Sequence, residues 1–168
     1  MNYSIDFRQL FGFNVKWNAK NLSLIIFLAL IPNLLGLLNY KTSYGFTFHF
    51  FQVALFLAAA LYGPKGGAIS GAIGSMYSAA IMANPYIVLG NLLLGLFAGI
   101  FFRIFNSLLL AGIIAFILQA PYIYFSDTIL AGMPHSIVIA ILWGLLASDI
   151  IWAFTAGRIY LKAKNLVR

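Results

Sequence analysis

A chain of 168 residues is long enough for one domain, but its composition excludes an ordinary water-soluble one. Apolar residues make up 63% and charged residues 8% of the sequence, against about 45–50% and about 25% in soluble proteins. The net charge is +7, but most cations stand singly or in pairs between apolar runs, which argues against a nucleic-acid surface. Because there are no cysteines, disulfides and thiolate metal sites are excluded.

The first segment, residues 1–21, is predicted to be cytoplasmic and interfacial. Asp6, Arg8 and Lys16 stand there among aromatic residues, and no short apolar core leads to a small-residue cleavage site. The segment is therefore not typical of a cleaved signal peptide. Aromatic and apolar side chains next to cations favour a stretch that lies on the membrane surface.

Residues 22–160 are predicted to form a membrane domain of six transmembrane helices. A helix needs about 17–25 apolar residues to cross the hydrocarbon core. Runs that are apolar on every side favour helices, because a spanning barrel strand alternates apolar and polar residues. Glycine, proline and asparagine separate the runs, most weakly between Arg103 and Ser107. The six stretches are 22–38, 46–62, 66–83, 86–105, 107–125 and 134–160.

The cations predict the orientation of this all-α integral membrane bundle. With a cytoplasmic N-terminus, nine of the ten Lys and Arg residues lie inside and only Lys41 lies outside. Cations favour the cytoplasmic side of a membrane protein. We therefore predict a multi-pass protein of the cell membrane with both termini in the cytoplasm, and residues 161–168 form a basic cytoplasmic tail that faces the lipid bilayer.

Small residues recur every four positions in the third stretch. This spacing places them on one face of a helix, and small residues let membrane helices approach closely. Two interpretations stay open: the stripe packs inside this protein, or it docks a partner membrane protein. The stripe consists of Gly67, Gly71, Ser75 and Ala79.

Two segments carry a resemblance to a known family. Residues 50–74 read FFQVALFLAAALYGPKGGAISGAIG, and residues 90–103 read GNLLLGLFAGIFFR. Together with the predicted helices, they resemble the substrate-binding S component of energy-coupling factor (ECF) transporters. The resemblance implies that a vitamin or related micronutrient is captured from outside. It also implies partners, a transmembrane T subunit and two ATPase subunits.

One position departs from the family. Members often carry an AxxxA pattern in the first helix for docking, whereas here Ala29 is followed four residues later by Asn33. The chain also lacks the GxxxxGK[ST] loop that binds nucleotide phosphates. Any ATP-driven step would therefore belong to another protein.

The solute is expected in the outward half of the bundle. Aromatic walls with a few directed polar groups are typical of small-molecule pockets. Membrane anchoring, helix capping and hydrogen bonds between helices are the alternative roles for these side chains. The candidate substrate-binding residues are Tyr40, Lys41, Tyr44, His49, Gln52, Asn91, Gln119, His135 and Trp143.

The few charged groups indicate how Asp149 is compensated and which charge the solute carries. Asp149 is the only acid inside a predicted span, and pairing with Arg103 or Arg158, or protonation, is expected there. Lys41, as the single outer cation, favours a neutral or anionic solute.

No catalytic set is predicted, because the other two acids, Asp6 and Asp127, are expected outside the bundle. No cofactor is predicted, and the two histidines make a poor metal site. The alternative functions are a structural or assembly membrane protein without a ligand, and a self-contained carrier or channel.

Overall fold

The computed structural model describes residues 10–13, 15, 18–38, 40–41 and 47–167. Apart from one short strand pair, the regular secondary structure of these residues is helical. Four stretches are long and apolar enough to cross a membrane, namely Gln52–Ile81, Tyr86–Phe105, Leu108–Leu130 and His135–Ala163. The expected helical fold is confirmed, and its four long apolar helices are compatible with a membrane bundle.

The elements follow each other closely along the chain. The helices are α1 (Ala19–Leu35), α2 (Gln52–Gly74), α3 (Met76–Ile81), α4 (Tyr86–Phe105), α5 (Leu108–Phe125) and α6 (His135–Ala163). Short 3-10 turns follow α1 and α6 at Gly36–Leu38 and Lys164–Leu166, and a π-helical turn, Ser126–Leu130, extends α5. Strands β1 (Tyr40–Lys41) and β2 (Thr47–Phe48) pair antiparallel.

Helix α2 reverses direction at Gly63. The φ of 75° and ψ of −162° at this residue lie outside the helical region, in a part of φ/ψ space that suits glycine alone. A Cβ atom on Gly71 would lie 3.2 Å from Leu55 Cδ1, although residues sixteen positions apart on a straight helix are about 24 Å apart. Helix α2 is therefore a hairpin with arms 52–62 and 64–74, and its turn lies where the sequence predicts a break.

The second arm of α2 lies in backbone contact with α4. A Cβ atom on Gly67 would lie 2.2 Å from Gly95 O, and one on Gly71 would lie 2.1 Å from Asn91 O. A Cβ atom therefore has no room at Gly67, Gly71 or Gly95. The small-residue stripe of Gly67, Gly71, Ser75 and Ala79 is buried inside the bundle, so it has no exposed surface for docking a partner.

Helix α1 runs alongside the second arm and is tied to it by polar side chains. The Ser70 hydroxyl donates to Leu28 O at 2.6 Å. The Asn33 side chain donates to Ile73 O at 2.9 Å and accepts from the Tyr77 N–H at 2.9 Å. Asn33, the departure from the AxxxA pattern, therefore joins α1 to both α2 and α3.

Helices α4, α5 and α6 are three separate elements. Asn106 ends α4 in the left-handed region with φ 51°, and the Ser107 side chain accepts from the Leu110 N–H at the start of α5. The weakest predicted break is thus present. Helices α5 and α6 then run in opposite directions, since Gly112 faces Ala153 while Gly157 faces Leu108.

The two described ends of the chain meet at one end of the bundle. The Asn21 side chain donates to Val167 O at 3.2 Å, and the Tyr62 hydroxyl donates to Asn21 O at 2.8 Å. At the same end, the Arg103 guanidinium donates to the carbonyls of Leu10 and Gly12. The described part of the N-terminal segment therefore packs against the helices near Gly63, and the rest of residues 1–17 lies outside the described residues.

Candidate functional site

A cavity of about 400 Å³ opens between α2, α4, α5 and α6 at the end of the bundle remote from Gly63. We call it the polar cavity, because its walls combine aromatic and aliphatic surface with buried polar side chains. The connections 82–85 and 131–134 lie at this end. The polar residues on its wall include His49, Gln52, Asn84, Asn91, Gln119, Ser126, Asp127 and Asp149.

Four of the predicted substrate-binding residues lie on this wall. They are His49, Gln52, Asn91 and Gln119, and they come from three different parts of the chain. Gln52, Asn91 and Gln119 are all buried. Each stands near the end of a long helix, so the three helices bring them together around one space.

Gln52 is held in place by α6. The Ser148 hydroxyl donates to Gln52 Oε1 at 2.5 Å, and the backbone N–H of His49 approaches Ser148 Oγ at 3.4 Å. One contact is made at the first residue of α2 and the other three residues before it. They join the chain that enters the first arm to the middle of α6, and they orient the Gln52 amide at the cavity wall.

His49 precedes α2 and lies outside the four long helices. Burial lowers the pKa of its imidazole from 6.5 to about 4. Its Nδ1 has no hydrogen-bond partner among the described residues. The ring is therefore neutral near pH 7, and His49 contributes polar surface but no positive charge to the cavity.

Asn91 is partly used by its own helix. Its Nδ2 donates to Ile87 O at 3.0 Å, one turn earlier in α4. This bond fixes the side-chain amide on the face of α4 that lines the polar cavity. Gln119 approaches from α5, and its Nε2 would lie 3.3 Å from a Cβ atom on Gly90. The absence of a side chain at Gly90 thus leaves room for the Gln119 amide.

Asp127 lies at the cavity rim, although the sequence places it outside the bundle. That expectation is wrong, because the π-helical turn continues α5 and leaves Asp127 only 7% exposed. Asn84 Nδ2 donates to Asp127 Oδ1 at 2.9 Å, and Asn84 Oδ1 accepts from the Tyr86 N–H at 3.1 Å. Asn84, in the connection that precedes α4, therefore links the start of this helix to the rim carboxylate.

Asp149 lies deeper on the wall, in the middle of α6, and is 1% exposed. Neither of its carboxylate oxygens has a hydrogen-bond partner among the described residues. The expected pair with Arg103 or Arg158 is wrong, because Arg103 binds carbonyls at the opposite end of the bundle and Arg158 lies over the Phe154 ring.

Two predicted residues lie away from the cavity. His135 is exposed, and its Nδ1 is 2.9 Å from the Tyr124 hydroxyl on the outer surface. Trp143 is 64% exposed and is not part of the wall. Both residues lie on α6, and the face that carries them therefore points outward, away from the other candidate substrate-binding residues.

The first outer loop is only partly described. Tyr40 and Lys41 lie in β1, which pairs with β2 next to His49, but the positions of their side chains lie outside the described part. Tyr44 lies outside the described residues altogether.

The polar cavity combines polar groups with apolar surface. Its wall offers amide, carboxylate and hydroxyl groups at the boundary of a large apolar surface. Within the described ranges, no group of three or more His, Cys, Asp or Glu side chains is placed to hold a metal ion.

No family model, no curated protein and no solved structure matches this chain.

Proposed function

We propose that this chain is the substrate-capture subunit of an ECF-type uptake transporter, which binds a vitamin or related micronutrient from outside the cell. The polar cavity carries this proposal. Small-molecule sites are concave spaces of about 300–1,000 Å³ with mostly apolar walls and a few placed polar groups. At about 400 Å³, with side-chain amides from α2, α4 and α5, the cavity has the size and lining of such a site.

The proposed arrangement has six membrane crossings, with both termini in the cytoplasm. Gly63 reverses the chain between the two arms of α2, but each arm is shorter than the about 17–25 residues that a crossing needs. In this proposal, α3 completes the crossing of the second arm, and the chain before Gln52 completes that of the first. Lys65, Arg103 and Lys164 lie near the end where Gly63 lies, and the cavity lies at the other end. Since cations favour the cytoplasmic side, this distribution supports a cavity that opens outward.

Delivery to the cell interior requires partners in this proposal. The sequence has no nucleotide-binding loop of the GxxxxGK[ST] type, so a T subunit and two ATPase subunits would supply the energy. Because the small-residue stripe is buried, a partner subunit would have to dock on another face of the protein. Exposed apolar side chains of α1, such as Leu22, Ile26 and Leu30, offer a surface to lipid or to such a partner.

Identification of a retained small molecule tests the proposal. The protein would be purified in mild detergent, and small molecules released by denaturation would be identified by mass spectrometry. We expect one micronutrient in repeated preparations, at a near-stoichiometric amount. In Gly90→Leu the added side chain enters the cavity and the molecule should be lost, whereas Gly157→Leu, beside Leu108 and outside the cavity, should retain it.

The opposite result favours the assembly alternative. If repeated preparations carry no small molecule, and the protein binds none of a panel of common vitamins, a capture role is refuted. A structural membrane protein without a ligand then becomes the better interpretation.

A further inference from the structure

The described wall of the polar cavity is acidic. Asp127 and Asp149 are its two carboxylates, and no Lys or Arg side chain lines it. His49, which could carry a positive charge, is neutral near pH 7 because it is buried. The remaining polar groups are amides and hydroxyls. The described part of the site therefore offers hydrogen-bond acceptors and negative charge to whatever enters it.

Asp149 is the polar group of the cavity wall that most lacks a partner within the described protein. It is 1% exposed, it lies on the cavity wall, and both carboxylate oxygens lack a partner among the described residues. A carboxylate away from water is unfavourable unless charge or hydrogen bonds compensate it. Gly144 and Leu145, about one turn earlier on α6, also line the cavity, so Asp149 lies beside it, with both carboxylate oxygens covered.

Neighbouring protein groups do not compensate the Asp149 carboxylate. Ser148, the adjacent residue, gives its hydroxyl hydrogen to Gln52 and turns toward α2. Arg158 lies nine residues further along α6, about 13 Å along the helix axis, over the Phe154 ring. Asp149 therefore either stays protonated or, as a carboxylate, takes its compensating positive charge from a molecule in the cavity.

We infer that the polar cavity binds a small organic cation whose protonated amine or amidine nitrogen donates to the Asp149 carboxylate. The inference rests on the proposed function and names the substrate class. Hydrogen bonds to charged groups are stronger than neutral ones, and a low-dielectric wall strengthens them further. This assignment replaces the neutral or anionic solute that Lys41 suggested, because the wall places carboxylates next to the ligand.

The other wall groups fit the same ligand. Asn91 and Gln119 add amides from α4 and α5, across the cavity from α6. Aromatic surface from Phe51 and Tyr122 suits a flat ring that carries the charged nitrogen. Asp127 adds a second acceptor at the rim, which attracts a cation as it enters.

Three probes of nearly equal shape test the charge preference. Benzamidine is a cation, benzamide is neutral and benzoate is an anion. Binding to the purified, ligand-stripped protein in nanodiscs would be measured by calorimetry. We expect benzamidine to bind about tenfold more tightly than the other two, as one charge-assisted hydrogen bond permits.

Substitutions at Asp149 locate the preference. Asp149→Asn should lower the affinity for benzamidine about tenfold and leave benzamide unchanged. The same variant should unfold without ligand at an equal or higher temperature, because it removes an uncompensated buried acid. Thr155→Val is the control on α6, since its hydroxyl bonds only to Ile151 O of its own helix, and its affinities should match the wild type.

Each failure has a distinct meaning. Equal affinities for the three probes, no binding of any of them, or an unchanged preference in Asp149→Asn overturns the cation assignment. If the protein nevertheless retains an uncharged or anionic micronutrient, the capture function stands alone. If benzamidine is preferred through Asp149 but preparations retain no molecule and bind no vitamin, the cation site stands and the capture function fails.

Discussion

Single polar residues hold the helices of this apolar bundle together. In lipid, helices gain nothing from hiding apolar surface from one another, so hydrogen bonds and close packing determine their association. Asn33 illustrates this, because one side chain bonds the carbonyl of Ile73 and the N–H of Tyr77. Ser148 has a comparable role between α6 and Gln52. Each residue joins elements that are far apart in sequence.

Removal of the Asn33 amide should weaken the protein measurably. Asn33→Ala leaves the Ile73 carbonyl and the Tyr77 N–H without their side-chain partner, at a cost of about 1–3 kcal/mol. We expect a lower melting temperature in detergent. Asn165→Ala, at an exposed asparagine, should melt like the wild type. Equal melting temperatures for both variants would show that the Asn33 bonds contribute nothing net.

The sequence indicates which polar residues line a site, but not which partners they bond. Gln52, Asn91 and Gln119 stand near the outer ends of their helices, so topology alone suggested a common site. The rotation of α6 could not be predicted, because a helix that is apolar on every side has no face that the sequence marks as inward. For this reason the sequence favours a pocket that includes His135 and Trp143 and an arginine partner or a protonated state for Asp149, whereas the structure turns the first two outward and shows no arginine beside Asp149.

Two helical elements, the second arm of α2 and α4, meet with almost no side chain between them. Gly67 and Gly95 face each other's carbonyl groups at distances that exclude a Cβ atom. The contact brings Gly71 against Asn91, which carries one of the cavity amides. The small-residue pattern predicted a close contact somewhere on this face, but the sequence could not distinguish a helix of this chain from a partner protein.

Gly67→Ala should force these helices apart. The new methyl group would lie 2.2 Å from Gly95 O, and overpacking of this kind costs about 1–3 kcal/mol even though alanine favours the helix by about 1 kcal/mol. Gly157→Ala is the matched control, since its nearest neighbour would be Leu108 Cβ at an ordinary 3.7 Å. Thermal unfolding should show a loss for the first and no loss for the second. A stable Gly67→Ala protein would contradict the described contact.

The whole molecule has two unlike ends. One end gathers Gly63, Arg103 and the C-terminal turn, while the other holds the polar cavity and its carboxylates. Length and apolarity were sufficient to predict a helical membrane protein. The break between residues 62 and 66 was also predictable from Gly63 and Pro64, whereas the continuation of both arms in one apolar stretch, Gln52–Ile81, depends on the backbone angles at Gly63.

Site-directed labelling tests the proposed orientation of these ends. The chain has no cysteine, so single substitutions carry a unique label. Asn165→Cys and Ala131→Cys introduce a thiol at exposed positions at opposite ends of the bundle. In intact cells, a membrane-impermeant maleimide should label Ala131→Cys, while Asn165→Cys should react only after permeabilisation. Labelling of both thiols, or of Asn165→Cys alone, in intact cells would contradict a cytoplasmic C-terminus with an outward cavity.

The backbone contacts around Gly67 and Gly71 also limit how the cavity can change its volume. Close packing transmits strain and resists compression, so the α2 hairpin and α4 move together as one stiff wall. Asn33 fastens α1 to that wall. If the polar cavity binds a solute as proposed, its entry and exit would therefore require movement elsewhere. The segments outside the stiff wall are the π-helical turn after α5, the 131–134 connection and the strand pair beside His49.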